Sequence, residues 1–355
     1  MTSTHIRPRS GTPQQHYFTV NDVAIDPACS PTHFASAGRD RRVLIWDCER
    51  IQEGKAPEVI DEYECDDNPE VVKYHPDGSM LAIQCDDGSV YLHSDDCVRQ
   101  AVVAAGRGHV TAEIAWGVYA SRNLLFASSA CIDDVSGHHK AFDVVRNKVV
   151  VEFDAAKEAC SSLALDPLGE RLFIATEGPE SRFVLRQFDA RTRDRKAVQT
   201  VDLEPFADST DKASMDVNSL SLSPDALYLA AGRTDNWADV YDARMFARGP
   251  LHSFAHEDAV SGAADNYGIV KTQWVDGAPR GVGVGLVTGG SDGCVRLWDV
   301  RRAADDPLNG TVLARCDYDV AAFNLGDIYN GEKPIVVGER SGKVTVFDHC
   351  PVAAA

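Results

Sequence analysis

The chain has 355 residues and carries 54 Asp and Glu against 35 Lys and Arg, a formal charge of −19 at pH 7. With 44% apolar and 25% charged residues it can bury a large core, which excludes a disordered chain, and its acidity argues against a protein built mainly to grip a nucleic-acid backbone. No apolar run approaches a membrane span, the first fifteen residues lack the apolar heart of a secretory signal, and the ten cysteines contain no CxxC pair, so a cytoplasmic or nuclear protein with reduced thiols is expected.

The first predicted strand, Val23 to Ile25, runs into a turn at Asp26-Pro27. The segment from Ser36 to Asp47 then reads as an apolar strand, a polar turn around Asp40, a β-branched strand and a closing Trp46-Asp47. An acidic run, Asp61 to Asp67, joins the first repeat to the second and reads as solvated surface or as a docking strip for a basic partner. The second repeat opens at Val71, turns at Pro76-Asp77-Gly78 and ends at Leu92-His93. In the third, Asp133-Asp134 and His138-His139 precede Phe142-Asp143. Consecutive side chains on an extended segment point to opposite faces, so a solvated insertion is preferred over a metal site.

The fourth repeat opens at Leu163, turns at Pro167-Leu168-Gly169 and ends at Phe188-Asp189, followed by a basic loop from Arg191 to Lys196 without interleaved aromatics. The fifth opens at Leu220, turns at Pro224-Asp225, carries Trp237 two residues after Asp235 and ends at Tyr241-Asp242. A glycine-rich run from Gly281 leads into a strand and lacks the Lys and Ser/Thr of a phosphate loop. Thr288 to Asp299 then repeats the first copy: Asp40 and Asp292 each stand six residues before a Trp and four after a Ser or Thr. The seventh end is Phe347-Asp348. Successive ends lie 46 to 57 residues apart, the strands are bounded by Pro, Gly and Asp turns, and no long 3.6-period helix competes with them.

These residues resemble the WD-repeat (WD40) family. The resemblance implies an all-β, seven-bladed β-propeller of four-stranded antiparallel blades, one domain over 1–355 with approximate blade ends at 47, 94, 143, 189, 242, 299 and 348. It also implies closure of the ring by the N-terminal segment, within Thr4–Thr12, as the outer strand of the last blade. His16, Ser36, Asp40 and Trp46 fit the family's structural relay in the first blade. Thr288, Asp292 and Trp298 fit it in the sixth, with His256 as fourth member although Ser261–Tyr267 interrupts the expected strand. Ile83 and His93 occupy the Ser/Thr and Trp places of the second blade, so no equivalent relay is expected around Asp87. A His-Ser-Asp hydrolase triad is the competing reading of these letters. Their recurrence with the blade period, without a nucleophile-elbow glycine pattern, favours structural glue.

The resemblance further places Arg39 and Arg340 before the turn position on the face where the family commonly binds peptides. With Arg41 they are expected to form one cationic patch once the blades close, and Trp237 is a candidate side anchor. The segment Leu286–Arg301, ending in Trp298-Asp299-Val300-Arg301, looks like the sixteen-residue box by which WD-repeat substrate receptors dock on the adaptor of certain cullin–RING ubiquitin ligases, with Arg301 as the contact. The expected function is a non-catalytic scaffold for protein or peptide partners, acidic or phosphorylated ones included, and a subunit of a larger complex. A ligase substrate receptor is the alternative, and a propeller hydrolase or lyase a remote one, since the histidines are scattered. No catalytic residue, cofactor or metal is expected, and neither nucleic acid nor membrane as primary partner.

Overall fold

The computed structural model describes residues 3–5, 15–28, 33–47, 57–94, 97–101, 109–131, 136–178, 182–192, 194–203, 216–256, 267–278, 282–326 and 335–347. They form seven four-stranded antiparallel sheets. After β1 (Ser3–His5), blade 1 is β2 (Val20–Ile25), β3 (His33–Gly38), β4 (Arg42–Asp47) and β5 (Glu58–Glu64). Blade 2 is β6 (Pro69–Tyr74), β7 (Leu81–Cys85), β8 (Val90–Ser94) and β9 (Cys97–Ala101), and blade 3 is β10 (His109–Trp116), β11 (Leu124–Cys131), β12 (His139–Asp143) and β13 (Lys148–Glu152). Blade 4 is β14 (Ala159–Leu165), β15 (Arg171–Gly178), β16 (Arg182–Asp189) and β17 (Gln199–Asp202), and blade 5 is β18 (Val217–Leu222), β19 (Tyr228–Arg233), β20 (Trp237–Asp242) and β21 (His252–Ala255). Blade 6 is β22 (Ile269–Ala278), β23 (Val282–Gly290), β24 (Cys294–Asp299) and β25 (Thr311–Arg315). Blade 7 takes β26 (Val320–Leu325), β27 (Ile335–Glu339) and β28 (Val344–Phe347) from one end of the chain and β1 from the other, with Ser3 opposite Phe347 and His5 opposite Thr345.

The strands of each blade are called a to d in order from the axis outward. An axial cavity of about 410 Å³ touches the a strand of all seven blades. Strands b and c are sandwiched between neighbouring blades and are mostly apolar, as in Leu81–Cys85 and Ile335–Glu339, where every residue is buried, Gln84 and Glu339 included. The d strands face solvent, and β5 mixes Val59, Ile60 and Tyr63 with four acids and is mostly uncovered. Each aromatic-Asp pair therefore marks the end of a c strand, and the d strand follows it. Asp61 to Glu64 of the acidic run belong to the outer strand of blade 1, and only 65–67 bridge to blade 2. Asp133, Asp134 and residues 261–266 lie outside the described residues.

The apolar core is divided among the seams. Among the described residues there is one buried cluster between each pair of adjacent blades, such as Phe34, Leu44 and Trp46 of blade 1 against Ala322, Val336 and Val344 of blade 7. A blade buries its faces only against neighbours, so the ring must close for the last faces to be covered. Gly342 of blade 7 shows how tight that closing seam is. It sits at φ 85°, where a Cβ would lie 2.5 Å from the carbonyl oxygens of both His16 and Phe18.

Every a strand carries a bulge near its start, between Val20 and Asp22 in blade 1 and at the matching place in the other six. A bulge leaves a backbone group out of the ladder, and neighbouring blades supply its partner. Asp22 accepts the N–H of Val72 at 3.2 Å, Ser162 that of Leu220 at 2.9 Å and Ser219 that of Thr272 at 3.0 Å. These bonds cross seams 1–2, 4–5 and 5–6 next to the axis.

Candidate functional site

Four groups of polar side chains are available for function: the relays inside the blades, the axial cluster, and one set on each face. In blade 1 the Trp46 indole N–H donates to Ser36 Oγ at 2.9 Å, the Ser36 hydroxyl faces His16 Nε2 at 2.8 Å, and His16 Nδ1 lies 2.9 Å from Asp40 Oδ1. An ionised Asp40 only accepts, so Nδ1 carries the proton and Nε2 accepts from Ser36. Burial opposes the charge on Asp40, but His16, the Tyr17 N–H and Arg42 outweigh it and hold the carboxyl well below its usual range. Blade 6 repeats the geometry: Trp298 to Thr288 at 2.8 Å, Thr288 to His256 at 2.6 Å, His256 to Asp292 at 2.9 Å.

The other blades fill the same slot differently, which sequence reasoning missed. In blade 4, Arg186 stands ten residues after Thr176, the offset of Trp46 from Ser36. Glu158 accepts from Arg186 at 2.7 Å, Thr176 at 2.7 Å and Arg182 at 2.9 Å. In blade 5, Asp239 accepts from Arg233 and from Ser253, each at 2.6 Å. In blade 2, Asp87 only caps its own turn through the N–H and hydroxyl of Ser89, and the half-buried His93 packs at a tilt against Tyr63, ring centroids 4.3 Å apart. His138 and His139 diverge: His139 is buried against Ser128 and the carbonyl of Glu158, whereas His138 pairs with Glu152 at 2.9 Å. Burial pushes His139 down to about 4, so it is neutral at physiological pH.

The axial cluster was not foreseen either. Asp22 of blade 1 meets Lys271 of blade 6 at 2.5 Å and Lys73 of blade 2 at 3.8 Å, and Lys73 meets Glu113 of blade 3 at 3.5 Å. Lys271 reaches past blade 7 because that blade faces the cavity with Ala321 and Ala322. Burial alone would raise Asp22, but the two ammonium groups hold it ionised; Glu113, with one partner, stays raised by burial. Nearby Glu70 accepts from Asn21 at 3.0 Å and is pushed up to about 8 by burial and then by the Asp86 carboxylate, with Arg39 acting against both. Among the described residues the cavity wall holds no histidine. Its charges chiefly neutralise one another.

The upper face carries the b–c turns and d–a connections. Arg39 and Arg41 are exposed on either side of Asp40. Arg340 differs from the expectation of a free guanidinium. It is half-buried, stacked 3.1 Å from the ring centroid of Tyr267, with a buried Nε that finds no hydrogen-bond partner among the described residues. Arg39 and Arg41 are thus exposed, with the Glu70–Asp86 pair beside Arg39, and Arg340 is held on the Tyr267 ring. Trp237 is 41% exposed but belongs to blade 5, which blade 6 separates from blade 7, so it does not join that patch.

The lower face carries the a–b and c–d turns. Here Arg301 forms a fork with the Asp at the end of its c strand, its N–H at 3.0 Å and its Nε at 3.3 Å from Asp299 Oδ1. Arg191 on Asp189 and Arg244 on Asp242 repeat the fork, with Nη2 adding bonds of 2.9 and 2.8 Å. Three consecutive blades thus present half-exposed guanidiniums at the same repeat position.

The WD40 family profile (WD domain, G-beta repeat) matches residues 9–47 and 248–299, the two segments with complete relays. Rik1-associated factor 1 of Schizosaccharomyces pombe (strain 972 / ATCC 24843) is 25% identical over 245 residues, which are 63% of this chain and 36% of that protein, so the match spans about a third of the relative's length. The solved structure of the Dos1 propeller superposes with a TM-score of 0.66 at 20% identity, covering 94% of this chain and 78% of that one.

Proposed function

Because the chain is a WD-repeat β-propeller, we propose that it is a non-catalytic scaffold that holds protein partners on its faces. One observation carries this reading. The groups that could do chemistry are engaged inside the fold, His16 and His256 in relays and the axial charges with each other, while arginines and aromatics are left exposed. A rigid frame with a few exposed anchors loses little entropy on association. For the upper face, Arg39 and Arg41 are the anchors, suited to a carboxylate or phosphate through charge-assisted hydrogen bonds.

The second reading, a substrate receptor docked on a ligase adaptor through Arg301, is supported by the threefold Asp–Arg fork. It also fits a relative whose name makes it an associated factor of another protein. Affinity purification with mass spectrometry from native cells tests both, comparing wild type, Arg39→Ala/Arg41→Ala and Arg301→Glu. Loss of partners in the double variant alone supports upper-face binding. Selective loss of a cullin–RING adaptor in Arg301→Glu supports the receptor. An unchanged partner set in both variants overturns both assignments.

A further inference from the structure

The lower face of blades 3 to 5 is unlike the rest of the surface. Its a–b turns expose Tyr119 at 78%, Leu168 at 54% and Leu227 at 40%. These turns touch in sequence around the ring: Gly169 lies so close to the Val118 carbonyl that no Cβ fits, and Arg171 Nη2 donates to the Ala226 carbonyl at 2.7 Å. The three apolar side chains therefore belong to one continuous arc. Two of them also replace polar residues of sibling repeats. Leu168 stands where blades 2 and 5 have Asp77 and Asp225, each of which caps its turn by accepting a backbone N–H, at 2.9 and 3.0 Å. Leu227 stands where blade 2 has Ser79. The blade-4 turn keeps a cap, because Asp166 accepts the Glu170 N–H at 2.7 Å, so Leu168 is free to face solvent as apolar surface.

Charge surrounds this arc in the opposite sense to the whole chain. The c–d loops 144–147, 190–198, 243–251 and 300–310 hold nine Lys and Arg against three Asp and Glu, in a chain of net charge −19. The fork carboxylates offset one arginine in each of blades 4, 5 and 6, Arg191 also meets Glu170 at 3.5 Å, Arg302 meets Asp306 at 3.1 Å and Arg146 pairs with Asp143 at 3.5 Å, yet the side chains of Arg146, Arg191 and Arg244 stay 53–62% exposed. We infer that this face docks an acidic, amphipathic segment of a partner protein, its apolar side chains on Tyr119, Leu168 and Leu227 and its carboxylates toward Arg146, Arg191 and Arg244. Nucleic acid fits less well, because the apolar arc would stay uncovered by phosphates. This site is separate from the upper-face anchors and does not depend on them.

The test uses a random short-peptide display library selected on the full-length protein and counter-selected on Tyr119→Ser/Leu168→Asp/Leu227→Ser. Leu168→Asp restores the residue of the sibling turns, so the variant is expected to fold, which thermal denaturation checks. Recovered peptides should be rich in Asp, Glu and large apolar residues. By fluorescence anisotropy the best of them should bind the apolar variant and Arg146→Glu/Arg191→Glu/Arg244→Glu at least about tenfold more weakly, and Arg39→Ala/Arg41→Ala as wild type. Recovery of no face-dependent peptide, or of basic ones, overturns the inference. So does equal loss in the Arg39/Arg41 variant, or competition by a DNA oligonucleotide at the same face with equal affinity.

Discussion

At the scale of single residues, the relays decide what each turn Asp contributes. Asp40 and Asp292 each close a buried chain of hydrogen bonds, whereas Asp87 caps only an exposed turn. Replacing Asp40 or Asp292 by Ala leaves a buried histidine N–H and an arginine without their acceptor, at a cost of about 1–3 kcal/mol each. Asp87→Ala should cost clearly less. Urea denaturation of the three variants checks the order, and an Asp87 variant more damaged than the other two would contradict it. The two depressed carboxyls also set a sign with pH: their contribution is full above the ordinary carboxyl range and is lost as pH falls through their lowered folded values.

At the scale of elements, the bulge in each a strand makes the seams depend on small polar side chains near the axis. Ser219 accepts the Thr272 N–H and also lies 3.2 Å from its hydroxyl. Ser219→Ala should therefore destabilise by about 1–3 kcal/mol through an unsatisfied buried donor. Ser219→Asn, which keeps an acceptor, should recover part of that loss in the same denaturation assay. No recovery would point to packing instead of hydrogen bonding as the source. The c strands were legible in the sequence because an aromatic and an Asp close each of six of them at a regular interval. The d strand of blade 1 was not, because its acids hide the β-branched alternation that an outer, half-wet strand requires.

At the scale of the molecule, three residues cover the outer edge of the last blade. β1 is the only described partner of β28 on its outer side, and without it blade 7 ends in an open edge. Deleting residues 1–5 should lower the melting temperature and raise light scattering from edge-to-edge association; an unchanged melting curve would show that closure rests elsewhere. The ring itself was legible from the period, because the blade interior repeats. The axial cluster was not. Asp22, Glu113 and Lys271 share one place, just after the a-strand bulge, where the other blades have Val, Ser or Ala, and Lys73 stands two residues farther on. Charges of both signs at one repeat position make no recurring motif, and Lys271 reaches Asp22 only once the ring is shut. The apolar arc escaped for a related reason: a lone leucine in a turn carries no signal until its neighbours are known.

The pairing of β1 with β28 also has a consequence in time. Ser3 is made roughly 340 residues before its partner Phe347; at ~5–20 residues per second that is a wait of about 20–70 s. Blades 1 to 6 can form in order as they emerge, but the last seam and the crossing of Lys271 to Asp22 must await nearly the whole chain. Completion of the fold thereby waits for blade 7, and a ribosome stalled before it holds an open arc whose two end blades each leave an apolar face uncovered.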